Sequence, residues 1–172
     1  IAVPHNIIGP NQKYDDPFRN VASIMINLML QNKRPTIYGD GEQKRTFSDI
    51  KDCIYCLDRM LFDPNIKSEI INIGPDEEFI SINTLYEILS NKLGFNQKPI
   101  YTDDRPNEVK HATCSADKAR KLLNYKTAVN LDASLNNLIN FIKIKGPKNF
   151  DYNYDIEIDN EKTPITWKNK LF

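Results

Sequence analysis

The stretch with the clearest chemical potential runs from Tyr38 to Phe47 and combines an aromatic ring, a glycine turn and an arginine. Residues 36–38 predict a short strand, and residues 39–41 predict a turn because glycine tolerates positive φ. The aromatic ring of Tyr38 can stack on a flat base, and the guanidinium of Arg45 can hold a phosphate by two parallel hydrogen bonds. The pattern favours a phosphorylated ligand with a flat ring, although a plain hairpin also fits it.

Three further segments carry polar groups in a fixed order along the chain. They are Pro-His-Asn-Ile-Ile-Gly-Pro-Asn-Gln at 4–12, Asn-Ile-Gly at 72–74 and Arg-Pro-Asn-Glu-Val at 105–109. With the glycine turn, this set resembles the C-terminal half of the nucleotide-sugar epimerases and dehydratases of the extended short-chain dehydrogenase/reductase family. That family typically has Asn-Val-Tyr-Gly-Pro-x-Gln, Gly-Asp-Gly-x-x-x-Arg-Asp-Phe, Asn-Ile-Gly and Arg-Pro-Gly-Asp-Val in the same order.

The resemblance implies a binding site for a nucleoside diphosphate. Arg45 and Arg105 would neutralise the two phosphates, and Glu108 stands where the family has an aspartate that reaches the ribose hydroxyls. Tyr38 would lie on the nucleobase, with Thr36 beside it. Two interpretations without a ligand stay open: Tyr38 packs in the core, or Arg45 pairs with a nearby acid, Asp40 or Glu42, a contact worth about 0–1 kcal/mol when exposed.

The same resemblance places other residues around the diphosphate and the cofactor. Asn6 matches the family asparagine that reaches the sugar diphosphate, although a strand-end asparagine can equally satisfy loop backbone. Asn20 and Val21 fall at the first turn of a helix, where free N–H groups favour a phosphate, although Asn20 also fits a solvated helix position. Asn72 completes the predicted substrate-binding set. Pro4 and His5 lie in the strand that passes the nicotinamide in the family, although a packed strand histidine also fits His5.

The catalytic machinery is expected upstream of Ile1. The family's N-terminal half carries a Gly-x-x-Gly-x-x-Gly turn for NAD and a Tyr-x-x-x-Lys pair for proton and hydride transfer, and neither pattern occurs here. We therefore expect no catalytic residue in these 172 residues and no NAD bound by them alone. The resemblance implies the part of an NAD-dependent epimerase that binds a UDP-sugar, with UDP-hexose favoured. A dehydratase of the same family and a non-catalytic binding or assembly module stay open.

Composition excludes several other classes. Lys plus Arg and Asp plus Glu are both 23, so no net charge attracts nucleic acid or a membrane. An odd number of cysteines, three, argues against a disulfide framework and predicts a cytoplasmic protein. Cys53 and Cys56 have the spacing of a zinc or redox pair, but the same spacing fits one face of a helix, and no metal site is predicted. The resemblance leaves room for a homodimer.

The predicted fold is α/β, with helices packed on short strands. Residues 1–145 form a nucleotide-sugar-binding domain that begins with the last strand or strands of a truncated Rossmann domain, and 146–172 form a C-terminal tail. Apolar periodicity predicts helices at 17–31, 50–62, 82–93, 116–123 and 132–143. Ile54, Leu57 and Leu61 share one face of the second helix. Alternation over 150–158 predicts a half-buried strand that pairs with its own domain, a missing half or a second subunit.

Overall fold

The computed structural model describes residues 1–152, 156–157 and 159–172, and it confirms the predicted α/β class. Its helices are α1 Val21–Leu30, α2 Ile50–Phe62, α3 Ile82–Leu93, α4 Asp117–Leu123, α5 Leu131–Lys145 and α6 Ile165–Lys168. Its strands are β1 Ala2–Pro4, β2 Ile7–Ile8, β3 Thr36–Tyr38, β4 Lys44–Arg45, β5 Ser48–Asp49, β6 Ile71–Ile73, β7 Ile80–Ser81, β8 Ile100–Thr102 and β9 His111–Ala112. In this part of the chain, no helix combines the length and the apolar character needed to cross a membrane.

The strands pair mostly in parallel, and this pairing brings distant loops together. β1 pairs with β6, β2 with β5 and β3 with β8, all in parallel. β4 runs parallel to β9 and antiparallel to β7. Because β3 and β8 are in parallel register, the glycine turn after Tyr38 and the loop after Thr102 leave the same edge, where Gly39 N–H donates to the Thr102 carbonyl at 2.9 Å.

Two apolar clusters hold these elements. α3 and α5 both pack on α1 around the larger cluster, which includes Met25, Leu85, Leu135 and Leu138. The smaller cluster lies between the β1–β6 pair, α2 and α4. Burial of apolar surface is the main favourable contribution to folding. The larger cluster therefore fixes the N-terminal end of α1, next to which the arginine segments lie.

The first helix starts later than the sequence predicts. It begins at Val21 instead of Pro17, because Asn20 is the N-cap and its Oδ1 accepts the Ala22 N–H at 2.9 Å. Asp16 closes a separate turn before it, where its carboxylate accepts the Phe18 N–H at 2.9 Å. Asparagine is among the best N-cap residues. The cap at Asn20 therefore sets the helix start, and the predicted start at Pro17 is wrong.

The second helix has its predicted bounds but buries a different face. Ile54, Leu57 and Leu61 are exposed, whereas Cys53 and Cys56 are buried in the smaller cluster. At 3.6 residues per turn, the cysteine positions lie on the side of α2 that faces the β1–β6 pair. The apolar side chains of Ile54, Leu57 and Leu61 therefore lie on the exposed side of α2 and not on the side that packs.

The other predicted helix boundaries agree with the structure to within one or two residues. Ser81 caps α3, and Gly94 ends it in the left-handed region at φ 64°. Asn124 ends α4 at φ 53°, as predicted, while Ser115 accepts the Asp117 N–H at 3.1 Å one residue before the assigned cap. The predicted inward residues of α5 are all buried: Leu131, Leu135, Leu138, Ile139 and Ile142.

The tail packs along its own domain. The predicted strand over 150–158 is wrong for residues 150–152 and 156–157, which are not in a strand; positions 153–155 and 158 lie outside the described residues. Asn27, fully buried in α1, donates to the Lys148 carbonyl at 2.9 Å and accepts the Lys148 N–H at 3.0 Å. Tyr14 donates its hydroxyl to the Gly146 carbonyl at 2.8 Å. These backbone contacts fix where the tail leaves α5.

Replacing Asn27→Ala should loosen this attachment. The change removes the hydrogen bonds of Asn27 to the Lys148 N–H and carbonyl, while Gln31 still donates to that carbonyl at 2.8 Å. Loss of the two bonds costs about 1–3 kcal/mol, at about 0.5–1.5 kcal/mol each. For a domain of this size, we expect the melting temperature to fall by roughly 2–4 °C per kcal/mol and amide exchange to accelerate over 146–152. Asn91→Ala, at an exposed position of α3, is the control. Unchanged exchange over 146–152 would show that Asn27 does not anchor the tail.

Candidate functional site

One cavity of about 320 Å³ collects most of the predicted ligand residues. It lies between the N-terminal end of α1, β3, β4, the loop after β8 and the C-terminal segment. The predicted residues that line it are Asn6, Asn20, Val21, Thr36, Tyr38, Arg45, Arg105 and Glu108. A second cavity of about 230 Å³ adjoins it and shares Tyr38, Arg105 and Glu108 with it. The combined space matches the size range of small-molecule sites.

The two arginines come from distant segments and meet at one carboxylate. Arg45 Nη1 donates to the Lys44 carbonyl at 2.7 Å, and its Nη2 forms an ion pair with Glu108 Oε1. The other carboxylate oxygen, Oε2, lies 3.6 Å from Arg105 Nη1. The alternative pairing of Arg45 with Asp40 or Glu42 is wrong, because its acidic partner is Glu108.

This arrangement leaves positive charge for a ligand. One carboxylate lies between two guanidinium groups, so the cluster of Arg45, Arg105 and Glu108 carries a net charge of one unit. The side chains of Arg45 and Glu108 are 15% and 19% exposed, whereas that of Arg105 is 39% exposed. Arg45 is therefore fixed by its surroundings, and Arg105 is the more accessible cation.

The glycine turn has a steric reason. Gly39 has φ 58°, and a Cβ built there would lie 2.1 Å from Asp104 Oδ1. A side chain at this position would clash with the Asp104 carboxylate unless that side chain moved, and the left-handed φ itself favours glycine. Glycine at 39 therefore suits both the turn and its contact with the Asp104 side chain.

Tyr38 lines both cavities, and its hydroxyl is already engaged. The hydroxyl lies 2.7 Å from Thr166 Oγ1 and accepts the Thr166 N–H at 3.1 Å. Gln43, a buried residue between the two cavities, donates its side-chain N–H to the Tyr38 carbonyl at 3.1 Å. The ring is half-buried and held from both ends, which suits a fixed wall for a flat ligand.

The two predicted asparagines line the cavity and also support its walls. Asn6 donates its side-chain N–H to the Thr46 carbonyl at 2.9 Å, and Asn20 caps α1. The first turn of α1, including Val21, thus faces the cavity with the positive end of the helix dipole. Ligand contacts of Asn6, Asn20 and Val21 stay predictions.

Three predicted residues lie elsewhere. Pro4, His5 and Asn72 do not line the cavity; they belong to β1, its carboxyl end and β6. Asn72 lies between the buried Ile71 and Ile73, and strand alternation turns its side chain to the opposite side of the strand. The structure therefore gives no geometric support to Asn72 as a substrate contact.

His5 has a polar environment of its own. Its Nε2 lies 2.6 Å from Thr46 Oγ1, and its Nδ1 lies 3.2 Å from Cys114 Sγ. Burial lowers the pKa of His5 and raises the pKa of Cys114, so both groups are neutral near pH 7. These shifts do not favour a preformed thiolate–imidazolium pair at this contact.

Sequence reasoning missed the contribution of the C-terminal segment. Thr166, Trp167 and Phe172 line the cavity, together with Phe18 and Gln43. The sequence feature that could have drawn attention to this segment is Trp167, the sole tryptophan of the chain. Long-range packing of a tail has no local pattern, so its position could not be derived from spacing.

Cys53 and Cys56 are buried in the smaller cluster, on the side of α2 that packs against β1 and β6. Burial raises the pKa of Cys53 to about 12 and that of Cys56 to about 11, which favours the thiol over the thiolate. In residues 1–152, 156–157 and 159–172, no group of three or more potential ligands among His, Cys, Asp and Glu is placed to hold a metal ion.

Comparison with known proteins gives a consistent result. Residues 1–74 match the model of the NAD dependent epimerase/dehydratase family. The chain is 35% identical over 140 residues to a putative UDP-glucose 4-epimerase of Methanocaldococcus jannaschii, covering 80% of this chain and 43% of that protein. It is 32% identical over 118 residues to the UDP-glucuronate 4-epimerase of Thermodesulfobacterium geofontis, covering 69% of this chain and 36% of that protein.

A solved structure shows the same relationship. The crystal structure of UDP-glucuronic acid 4-epimerase from Bacillus cereus, in complex with UDP-glucuronic acid and NAD, superimposes with a TM-score of 0.77 at 32% identity. The match covers 85% of this chain and 45% of that one. The chain thus spans less than half the length of the relatives it matches.

The fold and the similarity to known proteins define this chain as an α/β protein of the extended short-chain dehydrogenase/reductase type. The chain belongs to the NAD-dependent epimerase/dehydratase family and corresponds to a C-terminal portion of its members. The predicted family is therefore confirmed. The ligand roles of its individual residues are predictions that experiment must test.

Cys53 and Cys56 should resist alkylation in the native protein. At pH 8 we expect iodoacetamide to leave both unmodified until the protein unfolds, because a protonated, buried thiol reacts poorly. Mass spectrometry of the peptides measures this. A cysteine introduced by Lys51→Cys, at an exposed position of the same helix, should react readily and serves as the control. Rapid native labelling of Cys56 would contradict the structural assignment.

Replacing Glu108→Gln should strengthen the binding of inorganic pyrophosphate. The change removes the carboxylate that competes for Arg45 and Arg105, and we expect a dissociation constant lower by about threefold to tenfold, or ~0.7–1.4 kcal/mol. Calorimetry at low and high salt measures it. Glu69→Gln, which removes a carboxylate paired with Lys118 away from the cavity, is the control. Weaker binding would indicate that Glu108 mainly orients the arginines.

Proposed function

We propose that this chain binds the nucleoside diphosphate and the sugar of a UDP-sugar as part of an NAD-dependent epimerase. The observation that carries the proposal is the convergence of Arg45 and Arg105 on one cavity, beside Tyr38 and the N-terminal end of α1. A guanidinium matches the geometry of phosphate oxygens, and a helix N-terminus adds favourable N–H dipoles. A doubly charged diphosphate fits this combination.

The nucleobase is assigned to the Tyr38 side of the site. The Tyr38 ring lies where the two cavities join, and Thr36 lines the larger cavity on the same strand. Stacking on an aromatic ring is worth about 1–3 kcal/mol per base in nucleic-acid systems. Because Arg105 lines both cavities, a ligand spanning them would place its phosphates next to its base, as a nucleoside diphosphate does.

NAD would contact this chain at one edge only. Pro4 and His5 lie at the carboxyl end of β1, and Gly74 directly follows β6, the strand parallel to it. Open α/β proteins bind ligands at the carboxyl ends of their strands, so these residues fit a contact with one end of the cofactor. A Cβ at Gly74 would lie 2.5 Å from His5 Cε1, so this edge is tightly packed. NAD supplies hydride acceptance and return when bound. The glycine-rich phosphate turn is not among these residues, and we assign it to a preceding segment.

The surface of α2 suits contact with such a segment. Ile54, Leu57 and Leu61 are exposed on one side of α2, and Val3 of β1 is exposed as well. Within the described residues, β1 is hydrogen-bonded in a sheet only to β6. Exposed apolar patches and free strand edges mark interaction surfaces. We assign both the exposed side of α2 and the free edge of β1 to contacts with the NAD-binding half of the complete enzyme.

The sugar and the reaction are the finer part of the proposal. Relatives of this chain include epimerases named for UDP-glucose and UDP-glucuronate, so a UDP-hexose or UDP-hexuronate is favoured. Other relatives, matched over a shorter stretch or at lower identity, are named as decarboxylases of UDP-N-acetyl-alpha-D-glucosaminuronate and UDP-glucuronic acid. A dehydratase and a non-catalytic binding module are the alternatives. Turnover of UDP-hexoses by the complete protein, with product analysis by NMR, separates them.

Replacing Arg45→Ala should weaken UDP binding by about tenfold to hundredfold. Hydrogen bonds to a charged group are worth ~1.5–3 kcal/mol, which corresponds to that range. Arg45→Lys should restore little, because an ammonium lacks the planar fork. Calorimetry with UDP on the complete protein measures both.

Arg59→Ala is the matched control, because Arg59 lies on the outer part of α2 and pairs with Asp63 at 2.8 Å. It should bind UDP as the wild type does. Unchanged UDP affinity in Arg45→Ala would remove Arg45 from the site. Failure of the wild type to bind UDP, UDP-hexose and dTDP alike would favour the non-catalytic module.

A further inference from the structure

The C-terminal segment 164–172 forms one wall of the cavity through Thr166, Trp167 and Phe172. It is separated by more than a hundred residues from β3 and β4, which also line the cavity. The segment is short, and α6 occupies only Ile165–Lys168. Its contacts with the two groups assigned to the ligand determine what it can do.

Thr166 ties the segment to the Tyr38 ring. Thr166 is 1% exposed; its hydroxyl lies 2.7 Å from the Tyr38 hydroxyl, and its backbone N–H donates to the same oxygen at 3.1 Å. A buried pair of polar groups with two mutual hydrogen bonds has a defined geometry. The segment is therefore docked at a fixed place beside the cavity.

Trp167 lies against the cation assigned to the diphosphate. The Arg105 guanidinium carbon is 5.2 Å from the centre of the Trp167 ring, within the range of a cation–π interaction. The indole is supported from another side by Phe18, with ring centres 5.0 Å apart and an edge-to-face angle of 78°. Phe18 thus fixes the indole, and the indole provides a flat surface for the guanidinium.

The two arginines differ in what holds them. Arg45 has a backbone acceptor and a close ion pair, whereas Arg105 has a 3.6 Å contact with Glu108 and a more exposed side chain. A long side chain without a firm partner loses rotational freedom when it binds a ligand, and that loss weakens affinity. A surface that holds Arg105 in its binding orientation before the ligand arrives reduces this loss of rotational freedom.

We propose that Trp167 is a positioning residue that holds Arg105 in the orientation that binds the diphosphate, which makes the C-terminal segment part of the nucleotide-sugar site. This inference rests on the proposed function, because it takes UDP as the ligand. Trp167 acts through Arg105, and its aromatic face is the property that matters.

The test is a double-mutant cycle measured by UDP binding to the complete protein. Trp167→Ala should raise the dissociation constant about fivefold to tenfold, and Arg105→Ala should raise it at least as much. The double variant should resemble Arg105→Ala alone, because Trp167 has nothing left to position. In combination with Arg45→Ala, the effect of Trp167→Ala should instead multiply.

Two further substitutions keep the test independent of folding. Trp167→Phe keeps an aromatic face and should retain most of the affinity, whereas Trp167→Leu keeps apolar volume alone and should behave like Trp167→Ala. Lys168→Ala is the control, because Lys168 lies in the same short helix and pairs with Asp159 at 2.8 Å, away from the cavity. Its UDP affinity should match that of the wild type.

Each result has one meaning. Equal affinities of the Phe and Leu variants, or independent effects of Trp167→Ala and Arg105→Ala, overturn the positioning role. Tighter UDP binding by Trp167→Ala also overturns the positioning role, because it would show that the C-terminal segment hinders UDP from entering the cavity. Absence of UDP binding by the wild type defeats the proposed function itself. Wild-type binding with an unaffected Trp167→Ala variant defeats only this inference.

Discussion

The ion-pair cluster of Arg45, Glu108 and Arg105 is the interaction on which the site depends. Two guanidinium groups in a partly buried space repel each other unless an anion lies between them. Glu108 supplies that anion from the loop between β8 and β9, and the parallel pairings of β3 with β8 and of β4 with β9 hold this loop beside β4. Glycine at 39 suits the turn that contacts the Asp104 side chain of the same loop. Strand register, glycine turn and charge cluster therefore form one unit.

Local features of this unit could be predicted from the sequence, because each follows from a few adjacent residues. The strand at 36–38, the glycine turn, the Ser81 cap and the Gly94 end of α3 are such features. Family resemblance supplied the association of Arg45, Arg105 and Glu108 with one site. The side-chain pairing of Arg45 with Glu108, 63 residues apart, depends on tertiary register, and local spacing instead suggested the neighbouring acids Asp40 and Glu42.

Other features could not be predicted, because the sequence pattern allowed two answers. Apolar periodicity in α2 gave a correct helix, but the side that packs on β1 and β6 carries Cys53 and Cys56, which are small and ambiguous in type. Pro17 is a good first helical residue, but Asn20 competes as a cap and prevails. The alternation of apolar and polar residues in the tail is typical of a strand. The tail is instead anchored by the Lys148 backbone, which bonds to Asn27, and by the Thr166 hydroxyl, which bonds to Tyr38, and the alternation of side chains does not predict such contacts.

The charge cluster also has a consequence for ligand choice under the proposed function. Glu108 already forms ion pairs with both arginines. The net binding free energy of a ligand is therefore only the difference between its own contacts with the arginines and those of the carboxylate. A single phosphate that engages one arginine leaves the other with Glu108 and gains little. A diphosphate can engage Arg45 and Arg105 together, and the uncompensated positive charge of the cluster then favours it. Under the proposed function, Glu108 would thus favour a ligand with two adjacent phosphates over a ligand with one.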